Sequence, residues 1–258
     1  MTAGGWLFRR LHASHLAGRF RDLRAWSRYV AVRPEPVPQA RAALVIAPHP
    51  DDESIGCGGT VALMTAAGAS VAVVYTTNGA RGTADRSVAT AEAARALAAR
   101  RAEEARAACA LLGVRDVLFL EGEDSQLHHR ADLADRLRGL LERNRYDTVF
   151  MPWPYDGHVD HRSSFEFGRR ALRRTTPPPA VWLYEVWSPL VPNAAVDVSP
   201  ALDVKRRAIA CHVSQLEAID YVELGMALSR YRSGLRPGAA GVEAFFVTSV
   251  AGLGQFSG

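Results

Sequence analysis

The stretch Leu44-Val45-Ile46-Ala47-Pro48-His49-Pro50-Asp51-Asp52-Glu53-Ser54-Ile55-Gly56-Cys57-Gly58-Gly59-Thr60 runs from an apolar strand into a cluster of metal-ligand side chains and then into small residues. Four apolar residues ending at Pro48 have the composition of a buried parallel strand, and Pro48 and Pro50 forbid helix through the turn while holding His49 in extended backbone. His49, Asp51 and Asp52 are thereby placed at the C-terminal edge of a strand. The run from Gly56 to Thr60 permits close approach of a following helix, whose N-terminus would turn its free N–H groups and positive dipole end toward the carboxylates.

Outward from this stretch, apolar strands alternate with helical segments. The pattern predicts strands at 43–48, 71–77, 116–120, 147–151 and 180–186, with helices at 57–67, 88–112, 130–143 and 160–173 between and after them. It continues less regularly with a strand at 194–198, helices at 201–210 and 216–231, and a last strand at 243–248. Such alternation implies an α/β fold: a single doubly wound, mostly parallel, Rossmann-like sheet flanked by helices. With 258 residues, 48% of them hydrophobic, the chain can bury one substantial core.

Residues 1–40 read differently from 41–258. Phe8, Leu11, Leu16, Phe20, Leu23, Trp26 and Val30 recur at roughly helical spacing among arginines, and Arg33-Pro34-Glu35-Pro36-Val37-Pro38 reads as an extended linker. This basic amphipathic arm fits packing on the body, a membrane-surface contact, or docking of a partner. Its seven Arg against Asp22 and Glu35 give a local +5, so the total of +4 leaves −1 for residues 41–258. The body is therefore not built to bind nucleic acid. Cys57, Cys109 and Cys211 are odd in number and widely spaced, which argues against a disulfide framework and for a reducing compartment. No run of about 18 apolar residues is present to span a bilayer, and a cytoplasmic protein is expected, its membrane contact confined to the arm. Oligomeric state is not legible.

A second constellation, Met151-Pro152-Trp153-Pro154-Tyr155-Asp156-Gly157-His158-Val159-Asp160-His161, also follows an apolar strand and opens a helix. The three-residue spacing of His158 and His161 puts both rings on one face of a first helical turn. With strand order 3-2-1-4, the first and fourth core strands are neighbours, and both clusters meet at the topological switch point where such folds bind ligands. A dinucleotide site is excluded, because the glycines follow the carboxylates and do not spell G-x-G-x-x-G, and strand 71–77 ends without a ribose-binding acid. Three ligands of mixed His and carboxylate type with one open position are the pattern of a catalytic zinc, beside which a spare carboxylate can act as general base.

These two motifs, with Thr77-Asn78-Gly79, Arg101-x-x-Glu104, Asp124 and His212-x-Ser214-Gln215, resemble the PIG-L/LmbE family of zinc-dependent N-acetylglucosaminyl deacetylases over residues 42 to 248. The resemblance implies that His49, Asp52 and His161 bind one zinc per chain, with iron or cobalt as substitutes. It implies that Asp51 is the general base and that His158 faces the substrate carbonyl, where a protonated ring would stabilise the oxyanion. The expected reaction removes the N-acetyl group from an N-acetylglucosamine-containing small molecule. Another acylated amino-sugar natural product or thiol conjugate is the alternative substrate, and a noncatalytic sugar-binding protein the alternative class.

Asp160 is expected to orient His158, or equally to serve as a helix-start acid, and Glu53 to support the same cluster from behind. Arg81 and Asp124, just past strand ends, are expected to bind sugar hydroxyls. Arg101 and Glu104 are read as an ion pair on one helix and Cys57 as a small buried side chain, while His212 has no derivable role.

Overall fold

The computed structural model describes residues 32–82, 90–217 and 219–256. The amphipathic segment 5–30 lies outside them. Among the described residues, eight strands form one sheet: β1 (Arg33–Glu35), β2 (Ala42–Ala47), β3 (Ser70–Thr77), β4 (Asp116–Gly122), β5 (Thr148–Pro152), β6 (Ala180–Tyr184), β7 (Ala194–Asp197) and β8 (Val242–Ser249). Their spatial order is β1-β7-β8-β6-β5-β2-β3-β4. β8 pairs antiparallel with both its neighbours and every other pairing is parallel. The expected order of the first four core strands is therefore observed, and the switch point lies between β2 and β5.

β2 shows why such a sheet carries helices on both faces. Leu44 and Ile46 enter the core on one face, while Ala43, Val45 and Ala47 enter the core on the other. Side chains alternate across a strand, so a strand apolar at every position must be covered twice. The principal helices are α1 (Asp52–Ala66), α2 (Ala91–Leu111), α3 (Asp132–Asn144), α4 (Val159–Leu172), α5 (Leu202–Ala210), α6 (Val213–Leu216) and α7 (Tyr221–Arg232). The helix expected at 216–231 begins instead at Tyr221, where the Asp220 side chain accepts the N–H of Glu223 at 2.9 Å and caps α7, while Leu216 is the last residue of the separate α6.

α1 begins at Asp52, not at 57, so Asp52 and Glu53 occupy its first turn, where the helix dipole favours acids. The helix is broken at Cys57 (φ −144°, ψ 15°). A buried ion pair satisfies both broken ends: Lys205 Nζ donates to the Ile55 carbonyl at 2.8 Å, and Glu243 accepts the N–H groups of Gly59 (2.8 Å) and Thr60 (2.7 Å). Lys205 and Glu243 are themselves 2.6 Å apart. The glycines serve this packing from within α1. A Cβ at Gly56 would collide with the Tyr184 ring of β6, and one at Gly59 would lie 2.8 Å from Val198 Cβ.

The stretch 33–38 is not wholly a tether, since Arg33–Glu35 pairs with β7 as an edge strand. Among the described residues, hydrogen bonding to the sheet already includes Arg33, which belongs to the expected arm and linker. No described helix is long and apolar enough to cross a membrane.

Candidate active site and metal centre

His49 leaves the end of β2, and His161 and His158 come from the start of α4 and the residue before it. Asp52 folds back over this junction. Its Oδ2 accepts the His49 N–H at 2.8 Å and lies 3.2 Å from both His49 Nδ1 and His161 Nε2. The rings of His49 and His161 are 5.4 Å apart between centroids, and that of His158 is 4.7 Å from His49 and 5.2 Å from His161. The three expected ligands therefore converge, and His158 stands beside them as a further donor: ligand atoms of His49, His158 and His161 all lie within 4.8 Å of one another. His49, Asp124, His158 and Asp160 form a second such group.

The donor set fits a cation. His161 is fully buried, yet neither ring nitrogen makes a hydrogen bond, although Asp52 and Asp156 carboxylate oxygens lie 3.2 and 3.5 Å away. Buried polar atoms are rarely left so. Burial alone would lower the pKa of His49 and His161, but the surrounding Asp carboxylates outweigh it, raising His49 and lifting His161 to about 9. Asp52 is pushed down despite its burial, by His161 and His49. The carboxylates thus demand positive charge at this point, which a metal ion supplies in place of protons.

Asp51 is held apart from the ligands. Its backbone adopts φ 139°, a region costly for any residue with a Cβ and characteristic of functional sites. Burial raises its carboxyl to about 6, against the opposing pull of Arg101. Arg101, from α2 and itself buried, donates to Asp51 Oδ2 at 3.0 Å, the Pro50 carbonyl at 2.6 Å and the Gly79 carbonyl at 3.0 Å. The expected Arg101–Glu104 pair does not form. Glu104 instead bonds Arg100 and the backbone and hydroxyl of Ser214.

Asp160 sits in the first turn of α4, the helix-start acid that was one of its two expected readings. Its Oδ2 accepts from Ser125 N–H at 2.7 Å and lies 3.2 Å from His49 Nε2, but 3.9 Å from His158 Nδ1. His158 Nδ1 accepts the Asp160 N–H at 3.2 Å, capping α4. That bond needs an unprotonated Nδ1, and burial together with the nearby His49 and His161 lowers the His158 pKa. That bond and the lowered pKa both favour the uncharged ring in the absence of a ligand.

Glu53 lies behind the turn: Oε2 accepts the Asp51 N–H at 3.2 Å, and Oε1 lies 2.6 Å from Ser54 Oγ and 3.3 Å from His212 Nε2. This gives the buried His212 a structural partner. Asp124 Oδ1 lies 3.6 Å from His49 Nε2, and its Oδ2 accepts the Arg81 N–H at 3.2 Å. Arg81 extends its half-exposed side chain to Glu123 at 2.9 Å. Asp124, Arg81, His49, Asp51, Asp52 and His158 all line one cleft of about 1190 Å³. Cys57 is buried within α1, and burial raises its thiol pKa.

Two residues of this site were not assigned to it by the sequence reading, which took Arg101 for half of an ion pair on one helix. Arg101 carried a signal: it is the one charged side chain on the buried stripe Arg101, Ala105, Ala108, Cys109 of α2. Asp156 carried none, reading as an ordinary Asp-Gly turn. It is buried, and its Oδ1 accepts the His158 N–H at 2.9 Å while Oδ2 accepts those of Trp187 (3.1 Å) and Ser188 (3.3 Å).

The model of the GlcNAc-PI de-N-acetylase family, PIG-L, matches residues 44–172, which span β2 to α4 and hold all three expected ligands. The chain belongs to the PIG-L family. One relative, the diacetylchitobiose deacetylase of Thermococcus kodakarensis, is 34% identical over 197 residues, covering 70% of this chain and 72% of the relative. The 1D-myo-inositol 2-acetamido-2-deoxy-alpha-D-glucopyranoside deacetylase of Actinosynnema mirum is 48% identical over 156 residues, which cover 50% of this chain and 54% of that protein. The solved N,N′-diacetylchitobiose deacetylase of Pyrococcus horikoshii superposes with a TM-score of 0.74 at 25% identity, over 91% of this chain and 93% of that one. The match thus extends well past the PIG-L segment, across most of the sheet.

Proposed function

We propose that this protein is a metal-dependent hydrolase that removes the acetyl group from an N-acetylglucosamine-containing small molecule, releasing acetate and a free amine. The observation that carries the reading is the convergence of His49, Asp52 and His161 at the switch point, with Asp51 fixed beside them. His49, Asp52 and His161 would hold the ion, and we read it as zinc, since mixed His and carboxylate ligands with an open position suit that metal. When bound, such an ion supplies an electrophile that polarises the acetamide carbonyl and makes a water more acidic.

The remaining work falls to side chains of this chain. Asp51 is placed to take a proton from the water that attacks the acetamide carbon, and its raised pKa suits it to hand that proton to the leaving nitrogen as the C–N bond breaks. Arg101 keeps the carboxylate pointed and in its ionised form. His158 would donate a hydrogen bond from Nε2 to the carbonyl oxygen as negative charge builds there. Asp124 and Arg81 line the cleft where the sugar hydroxyls would lie.

The test is release of new primary amine from a panel of N-acetylglucosamine conjugates by zinc-loaded protein. Activity is expected to vanish with a chelator and to return with zinc, and full activity after exhaustive metal removal would overturn the reading.

A further inference from the structure

A backbone at φ 139°, as at Asp51, persists only where its surroundings over-determine it. Arg101 supplies one hold, through the Pro50 carbonyl and the Asp51 carboxylate. Glu53 supplies another, its Oε2 accepting the Asp51 N–H at 3.2 Å. Glu53 is itself 0% exposed, and a carboxylate so enclosed is costly unless donors or a cation meet it. At its other oxygen, Ser54 Oγ donates at 2.6 Å and His212 Nε2 lies 3.3 Å away. His212 is just as enclosed, and neither of its ring nitrogens makes an aligned hydrogen bond. Among the described residues, Glu53 is the one carboxylate within ion-pair reach of that ring.

The motif His212-x-Ser214-Gln215 is what fixes the ring there. Ser214 donates its N–H and its hydroxyl to Glu104 of α2 at 2.9 and 2.6 Å, on the helix that carries Arg101. Gln215 Nε2 donates to the Gly82 carbonyl at 3.1 Å, in the loop whose Gly79 carbonyl accepts from Arg101. This one short segment thus grips α1, α2 and the loop after β3, the elements that close on Asp51. Neither His212 nor Glu53 lines the cleft, so neither is placed to touch a substrate. Resting on the proposed role of Asp51 as base, we infer that His212 is a positioning residue, which holds the Glu53 carboxylate against the Asp51 N–H and so keeps the base aimed. A ring that only filled space between α1 and α6 would act through its volume and not through the place of one nitrogen.

That difference sets the experiment. His212→Gln carries its amide nitrogen where Nε2 stands, whereas His212→Asn carries it where Nδ1 stands, short of Glu53. Both variants are polar and neutral, so the comparison isolates the position of the donor. Hydrogen exchange at the Asp51 amide is read by NMR in full-length, zinc-loaded protein with no substrate present. His212→Gln should keep most of the protection, while His212→Asn should exchange roughly tenfold faster there, the effect of about one hydrogen bond, with the Val45 amide of β2 unchanged. In turnover, His212→Asn should lower kcat by roughly 10–100-fold, as for a slightly misplaced catalytic group, at unchanged KM and metal content. It should add nothing to the loss already caused by Asp51→Asn. Equal exchange in the two variants, or a further fall in the Asp51→Asn background, would overturn the inference. Should neither variant fold, nitrogen shifts of the wild-type ring decide: a proton on Nε2 supports the hold on Glu53, and a proton on Nδ1 alone overturns it. Failure of the wild-type protein to release amine would count against the reaction, while the exchange comparison, which uses no substrate, would still decide what His212 does to Asp51.

Discussion

Arg101 Nη2 lies 3.0 Å from Asp51 Oδ2 and donates from the same nitrogen to the Pro50 carbonyl, so one buried guanidinium holds both the charge and the backbone of the residue at φ 139°. Asp51 must be ionised to accept a proton, so the acidic limb of kcat/KM should fall at or below about pH 6, because a bound cation draws a neighbouring carboxyl lower. Arg101 favours the anion, and its loss raises the Asp51 pKa further. In Arg101→Met the limb is therefore expected to move toward higher pH and kcat to drop by roughly 10–100-fold, of the order lost when acid–base catalysis is impaired. Metal content should be unchanged. A pH–rate profile with the limb unmoved would show that Arg101 only packs.

The two histidines of the second motif differ in what they should hold. His161→Ala removes an expected ligand and should lower bound metal together with rate. His158→Ala should keep the ion while kcat falls by roughly 10²–10³, the usual loss of one oxyanion donor. Metal analysis of the purified variants checks this, and a metal-free His158→Ala beside a loaded His161→Ala would show the two roles exchanged.

Lys205 and Glu243 are both almost fully buried, so removing one partner strands a charge. Lys205→Met should destabilise by about 3–5 kcal/mol, read as a lower denaturant midpoint with unchanged slope. Lys205→Met with Glu243→Gln should recover part of that loss, since no buried charge then remains unpaired. A midpoint unmoved in the single variant would mean that water reaches Glu243.

Deleting residues 1–31 is expected to leave deacetylation of a small soluble sugar within a few-fold of the intact chain, because every expected site residue lies at or beyond His49. Deletion through Pro36 removes β1 from β7 and should also lower the thermal midpoint. Insoluble protein from the shorter deletion would place the apolar face of residues 8–30 in the core.

Much of this site was legible because strand ends are legible. Pro48 and Pro50 mark where β2 stops, an apolar run marks β5, and the order 3-2-1-4 makes those ends neighbours. What escaped depends on contacts that spacing does not encode. Arg101 meets Asp51 across 50 positions, and helix periodicity offered Glu104 as a nearer partner. α1 starts five residues before the helix expected at 57–67, and the close fit of Gly56 to Tyr184 and of Gly59 to Val198 that its first half depends on is tertiary. The hydrogen bond that the His158 ring accepts comes from a backbone N–H two residues away, which residue identities do not announce.

The short β1 has a consequence for how the molecule meets its own copies. Arg33 donates its N–H inward to Asn193 at 3.0 Å, so by alternation the backbone at 34 and 36 faces away from β7. Both positions are proline and have no N–H to offer. Among the described residues, this rim of the sheet therefore cannot template an incoming strand, and self-association into an extended ribbon is blocked at that edge by two imino acids.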